Sequence, residues 1–522
     1  MLRERPKNGK VYLIGAGPGH PKLITLRAIE CIQDSDVLLY DHLANQKFLQ
    51  YARKGCEIIY AGKTGVHHTL HQDEINQILI EKTREGRTVG RLKGGDPLLF
   101  GRGGEEAEEL VKQGIEFEIV PGIPAATAAA AYAGIPLTHR NLSSTVAFVT
   151  GHEGSEKSGP SVDWAKLSTG VGTLVIYMGI GNLKENVLKI MAHGRSPKTP
   201  VALIRWATTP DQETLCGTLS DIYEKAQAAD FKAPAIMIVG ESVTLRDKLQ
   251  WAERLPLFGK RIVLTREREQ AGDFSEHLER FGAEIFYLPT IRIVPPESFE
   301  ILDRAIDEFS SFHWAVFTSA NAVRGFMDRL ISRGRDARDL KGIRIITVGT
   351  ATAQALLDKG IRTDLIPEEF RGEGVIRALK AEGDLHGAKI LIPRAEKARE
   401  ILPDTLRDEG AEVVVAPVYR NVPPEINPKD LQEILVKRKA HLIVFTSPSN
   451  VKNFMTSVEK EGLSGALQGI RIACIGPVTG NAARKQGLEV ALEPESSTLS
   501  SLSDSILRLF GEPYNIEKKK ED

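Results

Sequence analysis

The segment His313-Trp314-Ala315-Val316-Phe317-Thr318-Ser319 returns 128 positions later as His441-Leu442-Ile443-Val444-Phe445-Thr446-Ser447. Gly259-Lys260-Arg261-Ile262-Val263-Leu264 returns as Gly387-Ala388-Lys389-Ile390-Leu391-Ile392, again 128 on, and Gly342-Ile343-Arg344-Ile345 returns as Gly469-Ile470-Arg471-Ile472, 127 on. A period of that size is a duplicated domain, because solenoid repeats run roughly 20–50 residues. Each copy reads β-α-β-α-β with hydroxyl residues just past its strands: Thr318, Ser319, Thr350 and Thr352 in one, Thr446, Ser447 and Thr479 in the other. Two similar lobes facing one another make a cleft, the usual seat of a ligand. Capping of the helices that follow accounts for on the order of half of those hydroxyls. Pro295-Pro296 and Pro423-Pro424 stand at the same point of each repeat. Such pairs favour extended chain and oppose helix, so they predict two linker crossings. One lobe is therefore expected to be discontinuous, 259–293 with 425–510, and 297–420 to form the other. Residues 511–522 read as a charged tail.

The first half is built on strands that end in glycine or in a polar residue. Val11–Ile14 stops at Gly15-Ala16-Gly17-Pro18-Gly19, Val37–Tyr40 at Asp41-His42, and Glu57–Tyr60 at Ala61-Gly62-Lys63. A run ending in Thr88-Val89-Gly90 leads into a glycine-rich loop from Arg91 to Gly104, and Phe117–Val120 stops at Pro121-Gly122. Helical spacing separates most of these strands, as in Ile75, Ile78 and Leu79. The alternation predicts a parallel sheet with right-handed crossovers, whose ligand lies outside the carboxyl ends of the strands. The glycine spacing at 15–19 matches neither a dinucleotide fingerprint nor a Walker loop. An alanine-rich helix, Ala125 to Ala133, then opens a second α/β lobe with strands near 146–149, 174–177, 201–204 and 236–239. Lobes of about 8–121 and 122–250 follow, with a junction near Pro256.

At 522 residues the chain is too long for one core. A net charge of −1 provides no global field for nucleic acid or a membrane surface. The four cysteines lack metal or redox spacing, which fits reduced thiols in a cytosol. The longest apolar run, Ile123 to Leu137, falls short of the roughly 20 residues that span a bilayer. His67-His68-Thr69-Leu70-His71 has no accompanying acid or cysteine pair at ligand spacing, so no metal is expected. A cytoplasmic protein is expected.

Several blocks together carry a resemblance: Gly15 to Gly19, Val37 to Asp41, Gly62-Lys63 with Gln72 to Asn76, Arg91 to Glu106, Gly134 to Arg140, Tyr177-Met178-Gly179 and Ala233-Pro234-Ala235. On these, the stretch from about Lys10 to Trp251 resembles the uroporphyrinogen-III C-methyltransferase family. The duplicated half, about Gly259 to Leu509, resembles uroporphyrinogen-III synthase through its repeat and its Phe-Thr-Ser and Ile-Gly-Pro blocks. The resemblance implies S-adenosyl-L-methionine against Pro18, Gly94, Gly95, Asp96, Leu99, Pro124, Ala125, Met178 and Ala207. It makes Asp41 the proton acceptor and Lys63 the proton donor. Arg91, Lys93, Arg102 and Arg140 are added as partners for the carboxylates of a tetrapyrrole. In the synthase half it points to Ser319, Thr352, Tyr419, Ser447 and Thr479, with Tyr419 as the catalytic candidate. Two positions depart from the family pattern: His20 stands where many relatives have an acid, and Pro124 where many have Thr or Ser. Pro124 has no N–H to offer a cofactor.

The expectation is a bifunctional enzyme that closes hydroxymethylbilane to uroporphyrinogen III and methylates it twice to precorrin-2, toward siroheme or cobalamin. A homodimer through the methyltransferase half goes with it. The alternatives are a non-catalytic tetrapyrrole-binding second half, or methylation of a later corrinoid.

Overall fold

The computed structural model describes residues 9–62, 70–152, 162–369, 372–397 and 400–511. The chain divides into two compact units, Met1–Ile262 with Asp273–Ile285 and Ser503–Asp522, and Val263–Gly272 with Phe286–Leu502.

The first unit opens with five parallel strands: β1 (Lys10–Gly15), β2 (Val37–Tyr40), β3 (Glu57–Tyr60), β4 (Val89–Lys93) and β5 (Glu116–Val120), in the order β3-β2-β4-β1-β5. Strand residues alternate between two apolar layers, as period two requires. Val11, Leu13, Val37, Leu39 and Val89 pack with Leu79 and Leu110 on one face. Tyr12, Ile14, Leu38 and Leu92 pack with Ile32 and Phe48 on the other. β1, β2 and β4 are buried on both faces, which is why β1 and β2 read as continuous apolar runs, whereas β3 and β5 are only partly covered. β4 departs from the expected boundary. Arg91 and Lys93, assigned to the loop from sequence, are strand residues two apart on the same face, and both are buried.

The second sheet holds β6 (Val146–Thr150), β7 (Thr173–Tyr177), β8 (Pro200–Arg205), β9 (Glu213–Thr218) and β10 (Ala235–Val239), ordered β6-β7-β10-β8-β9. β10 runs antiparallel to both β7 and β8, and β8 pairs antiparallel with β9. The edge strand β9, absent from the sequence reading, has no fully buried residue and so no apolar run to announce it.

Ten further strands are β11 (Arg261–Leu264), β12 (Glu284–Tyr287), β13 (Arg292–Val294), β14 (Trp314–Phe317), β15 (Arg344–Thr347), β16 (Lys389–Ala395), β17 (Glu412–Val422), β18 (Leu442–Phe445), β19 (Arg471–Cys474) and β20 (Val490–Leu492). They form two sheets, β12-β11-β18-β19-β20 and β13-β17-β16-β14-β15. The division between units falls within β11 and β12. The duplication extends to side chains. Phe317 meets Phe326 edge-on with ring centroids 5.2 Å apart, and their counterparts Phe445 and Phe454 do the same at 5.4 Å. Just before the two proline pairs, Arg292, Ile293 and Val294 lie antiparallel to Val422, Asn421 and Arg420. β17 therefore runs on past Tyr419 to Val422.

Among the described residues no helix is long and apolar enough to cross a membrane.

Candidate active sites

The carboxyl ends of β1, β4 and β5 are drawn together backbone to backbone. Ala16 N–H donates to Lys93 O at 2.8 Å, and Gly17 and Gly95 exchange hydrogen bonds of 3.1 and 2.7 Å. A Cβ on Gly122 would lie 2.2 Å from Gly95 O, so the strand ends can touch only because that side chain is missing. Asp96 clips the same place, its Oδ2 accepting from Gly122 N at 3.1 Å and its Oδ1 from Leu98 N at 2.8 Å. Gly95 sits at φ +70°, and a Cβ there would enter the gap before Ala125, 3.4 Å from its nitrogen. Gly94 differs: a Cβ would strike Leu43 at 2.8 Å. Packing alone accounts for the glycine at 94.

The rim of this cleft is strained. Five of the seven described non-glycine residues at positive φ lie just past β4, β7 and β8: Phe100, Arg102, Met178, Trp206 and Thr208. Each such conformation costs roughly 1–3 kcal/mol and persists where surrounding structure over-determines it, often at binding sites. The surroundings are visible here. Tyr177 Oη accepts from Ala126 N at 3.1 Å, and the Phe100 ring lies 4.7 Å from the Tyr177 ring. Thr208 Oγ1 accepts from His20 N at 3.1 Å, and His42 stands edge-on to Trp206 at 6.0 Å. Loops of both sheets thus meet at one place. Leu99, Ala125 and Ala207 pack together against Tyr177 and Ile204, while Leu98 and Met178 remain more than half exposed. Pro124 stands at the N-cap of the helix Ala125–Ala133, and Pro18 lies in the loop between Gly17 and Gly19.

The polar residues fall into two groups. Asp41 Oδ1 accepts from Leu43 N and Ala44 N at 3.1 and 3.2 Å, and its Oδ2 faces Arg91 Nη2 at 3.4 Å. Arg91 and Lys93 are both held by Glu106, whose side chain has no solvent exposure. Burial and the neighbouring Arg91 push the Lys93 ammonium below its ordinary range. As placed, these two cations are matched by an acid of the protein itself. Arg102, paired with Glu105, and Arg140 are at the surface. Lys63, His67 and His68 lie outside the described residues. His71 caps the helix Gln72–Arg84, and among the described residues no cluster of three or more ligand-type side chains could hold a metal. Glu106 was not singled out from sequence. The signal available was Arg91 and Lys93 two apart, which puts two cations on one strand face and calls for an acid opposite.

In the duplicated half the structure brings Ser319 and Tyr419 together, with their hydroxyls 3.4 Å apart. Ser319 also caps the helix Ala320–Ser332 by accepting from Ala322 N at 3.1 Å. Ser447 caps the equivalent helix Pro448–Lys460, and its Oγ donates to Asn450 Oδ1 at 2.5 Å. Asn450, buried and unremarked in the sequence, ties that cap to Thr265 O and Thr290 Oγ1 at 3.1 and 3.0 Å. Thr352 and Thr479 are buried in the first turns of the helices Thr350–Leu357 and Pro477–Lys485. Arg266, two residues past β11, is displaced below its ordinary range by burial and by the like charge of Arg324.

Fold and strand-end cleft together define a two-lobed α/β unit of the kind that binds a ligand at its strand ends, followed in sequence by a duplicated α/β module. Residues 10–223 match the family of tetrapyrrole (corrin/porphyrin) methylases, and residues 272–504 match uroporphyrinogen-III synthase. A porphyrin biosynthesis protein HemD of Ruminiclostridium josui is 37% identical over 507 residues, covering 97% of this chain and 99% of that protein. A uroporphyrinogen-III C-methyltransferase of Priestia megaterium is 52% identical over 235 residues, 45% of this chain and 98% of that one. The crystal structure of uroporphyrin-III C-methyltransferase from Thermus thermophilus with S-adenosyl homocysteine is 36% identical, covers 45% of this chain and all of that one, and superposes with a TM-score of 0.40. The chain belongs to both families: it is an enzyme in which a tetrapyrrole methyltransferase is fused to a uroporphyrinogen-III synthase.

Proposed function

We propose that the N-terminal half, about 8–250, methylates uroporphyrinogen III twice to give precorrin-2. The C-terminal half, about 259–510, makes that substrate by closing hydroxymethylbilane with inversion of one ring. The observation that carries the first part is the cleft where β1, β4 and β5 end, with its strained rim and exposed apolar residues. The gap that a Cβ on Gly95 would fill and the surface of Leu98, Leu99 and Met178 fit S-adenosyl-L-methionine, which when bound supplies a methyl group on sulfonium. Pro18, Gly94, Gly95, Asp96, Pro124, Ala125 and Ala207 complete its surroundings in this reading. The protein's task is then chiefly orientation, because a sulfonium methyl already leaves readily. Asp41, fixed by two backbone N–H groups, takes the proton lost as the ring system rearranges. Lys63 returns one. Arg102 and Arg140, on the surface, meet the substrate's carboxylates.

In the second half Tyr419, beside Ser319, hydrogen-bonds the departing hydroxyl of the linear substrate. Ser447, Thr352 and Thr479 belong to the walls. Methionine-derived cofactor, cytoplasmic location and a homodimer through the methyltransferase half complete the proposal. The test is to supply hydroxymethylbilane with and without S-adenosyl-L-methionine and identify products. Uroporphyrinogen III without the cofactor and precorrin-2 with it are expected. Binding of the linear substrate without closure would leave the second half as a binding module, and failure to turn over uroporphyrinogen III would point to a later corrinoid.

A further inference from the structure

We infer that Glu106 is a positioning residue for methyl transfer: it holds Arg91 off Asp41 and so keeps the Asp41 carboxylate available as a proton acceptor. The inference rests on the reading of Asp41 as the base.

Glu106 lies in the first turn of the helix Gly103–Lys112 with no exposure to solvent. Its Oε1 accepts from Lys93 Nζ at 2.7 Å, from Arg91 Nε at 3.2 Å and from Gln72 Nε2 at 3.2 Å. Its Oε2 is buried with no hydrogen-bond partner among the described residues. Leaving a buried carboxylate oxygen idle is unfavourable, and an ion pair that served stability alone would satisfy both oxygens. The arrangement makes sense once Arg91 is followed to its other end. The guanidinium is a rigid planar fork. Anchored through Nε on Glu106, it reaches Asp41 Oδ2 only at 3.4 Å. A charge-assisted bond to a carboxylate closes to about 2.7–2.9 Å. Asp41 meanwhile is oriented by Leu43 N and Ala44 N on its other oxygen, at 3.1 and 3.2 Å, both shorter than its contact with the arginine. Two carboxylates therefore share one arginine, and the buried one has the firmer hold.

Neutralising Glu106 removes the competitor. Arg91 then closes on Asp41, and a guanidinium in close contact lowers a carboxylate's affinity for protons. Transfer to a weaker base is slower. Gly17, Gly95, Met178 and the rest of the cofactor cleft are untouched by the change.

The experiment uses the full chain and the variant Glu106→Gln, assayed for methylation of uroporphyrinogen III, with S-adenosyl-L-methionine binding followed by calorimetry. The expected result is a kcat lower by about tenfold to a hundredfold with cofactor Kd within about twofold of the parent. In an Asp41→Asn background the same substitution is expected to change kcat by less than about twofold, because the group it acts through is gone. Fully multiplicative losses in the double variant would overturn the inference, since a merely structural defect would add to the loss of the base. So would a parental kcat in Glu106→Gln. If that variant does not fold, Glu106→Gln combined with Lys93→Met leaves the buried net charge unchanged and still frees Arg91. It is expected to show the same loss and the same non-additivity. A parent that does not methylate uroporphyrinogen III would defeat the functional reading itself. An active parent, a slow Asp41→Asn and a parental Glu106→Gln would defeat only the role given to Glu106.

Discussion

Asp41 is fixed by its own backbone neighbourhood, so Asp41→Asn keeps shape and capping while removing proton acceptance. Methylation is expected to fall by about two orders of magnitude or more, with cofactor affinity unchanged by calorimetry. Turnover near the parental rate would take Asp41 out of the mechanism. His20 Nδ1 accepts from Lys22 N at 3.1 Å and caps the short helix Pro21–Leu23. Glu118 sets an acid limit on stability. Arg27 grips it with bonds of 2.7 and 2.8 Å and Lys10 adds one of 3.1 Å, holding the carboxyl near 2 against an ordinary 4.5. Because the folded value is the lower one, the unfolded chain takes up the proton first. The contribution is whole above about pH 5 and is lost as pH falls toward 2. The pair is partly exposed, so about 1 kcal/mol is at stake. Thermal melts should place Glu118→Gln a few degrees below the parent at pH 7, with the gap closing below about pH 3. A gap that does not depend on pH would mean the charge is irrelevant.

At the scale of elements, the strand ends carry the chemistry. Gly95→Ala combines an unfavourable φ with a Cβ in the gap before Ala125. S-adenosyl-L-methionine binding is expected to weaken by about tenfold or more, while ring closure in the other half continues. Unaltered binding would place the cofactor elsewhere. For β17, Tyr419→Phe is expected to slow enzymatic closure by about tenfold to a hundredfold. The assay must resolve isomers, because the linear substrate also closes unaided without inversion. Uroporphyrinogen III formed at the parental rate would leave the hydroxyl with no part beyond its contact with Ser319. Much of this architecture could be read in advance. Runs such as Val37–Tyr40 are buried on both faces, and the alanine helix 125–133 is bounded by Pro124 and Gly134. What could not be read depends on partners distant in sequence. Arg91 and Lys93 look like loop cations until Glu106 is seen beneath them. Ile293 gives no hint of Asn421 opposite, and the left-handed backbone at Met178 and Trp206 is imposed by contacts from other loops.

For the whole molecule, the junction near Pro256 is proposed to join two parts that fold alone. Expressing 1–254 and 256–522 separately should give a soluble methyltransferase and a soluble synthase; if neither is soluble and active, the boundary is wrong. Cutting there removes ion pairs inside the first unit, among them Lys22–Glu279 at 2.7 Å, Lys47–Glu284 at 3.0 Å and Arg261–Asp211. Each of these pairs keeps one partner in contact with solvent, and such pairs contribute up to about 1 kcal/mol each, so a small loss of melting temperature is expected rather than collapse.

The strand order β12-β11-β18-β19-β20 also has a consequence for how the chain is made. β11 is an inner strand, yet its neighbour β18 begins at Leu442, about 150 residues after β12 ends at Tyr287. At synthesis rates of about 5–20 residues per second, that edge leaves the ribosome roughly 8–30 s before its partner exists. The sheet of β13 to β17 is completed in the meantime. Nascent chains should therefore present one apolar strand edge to chaperones during that interval, and ribosome profiling with chaperone capture should find engagement beginning after β12 emerges and ending with β18.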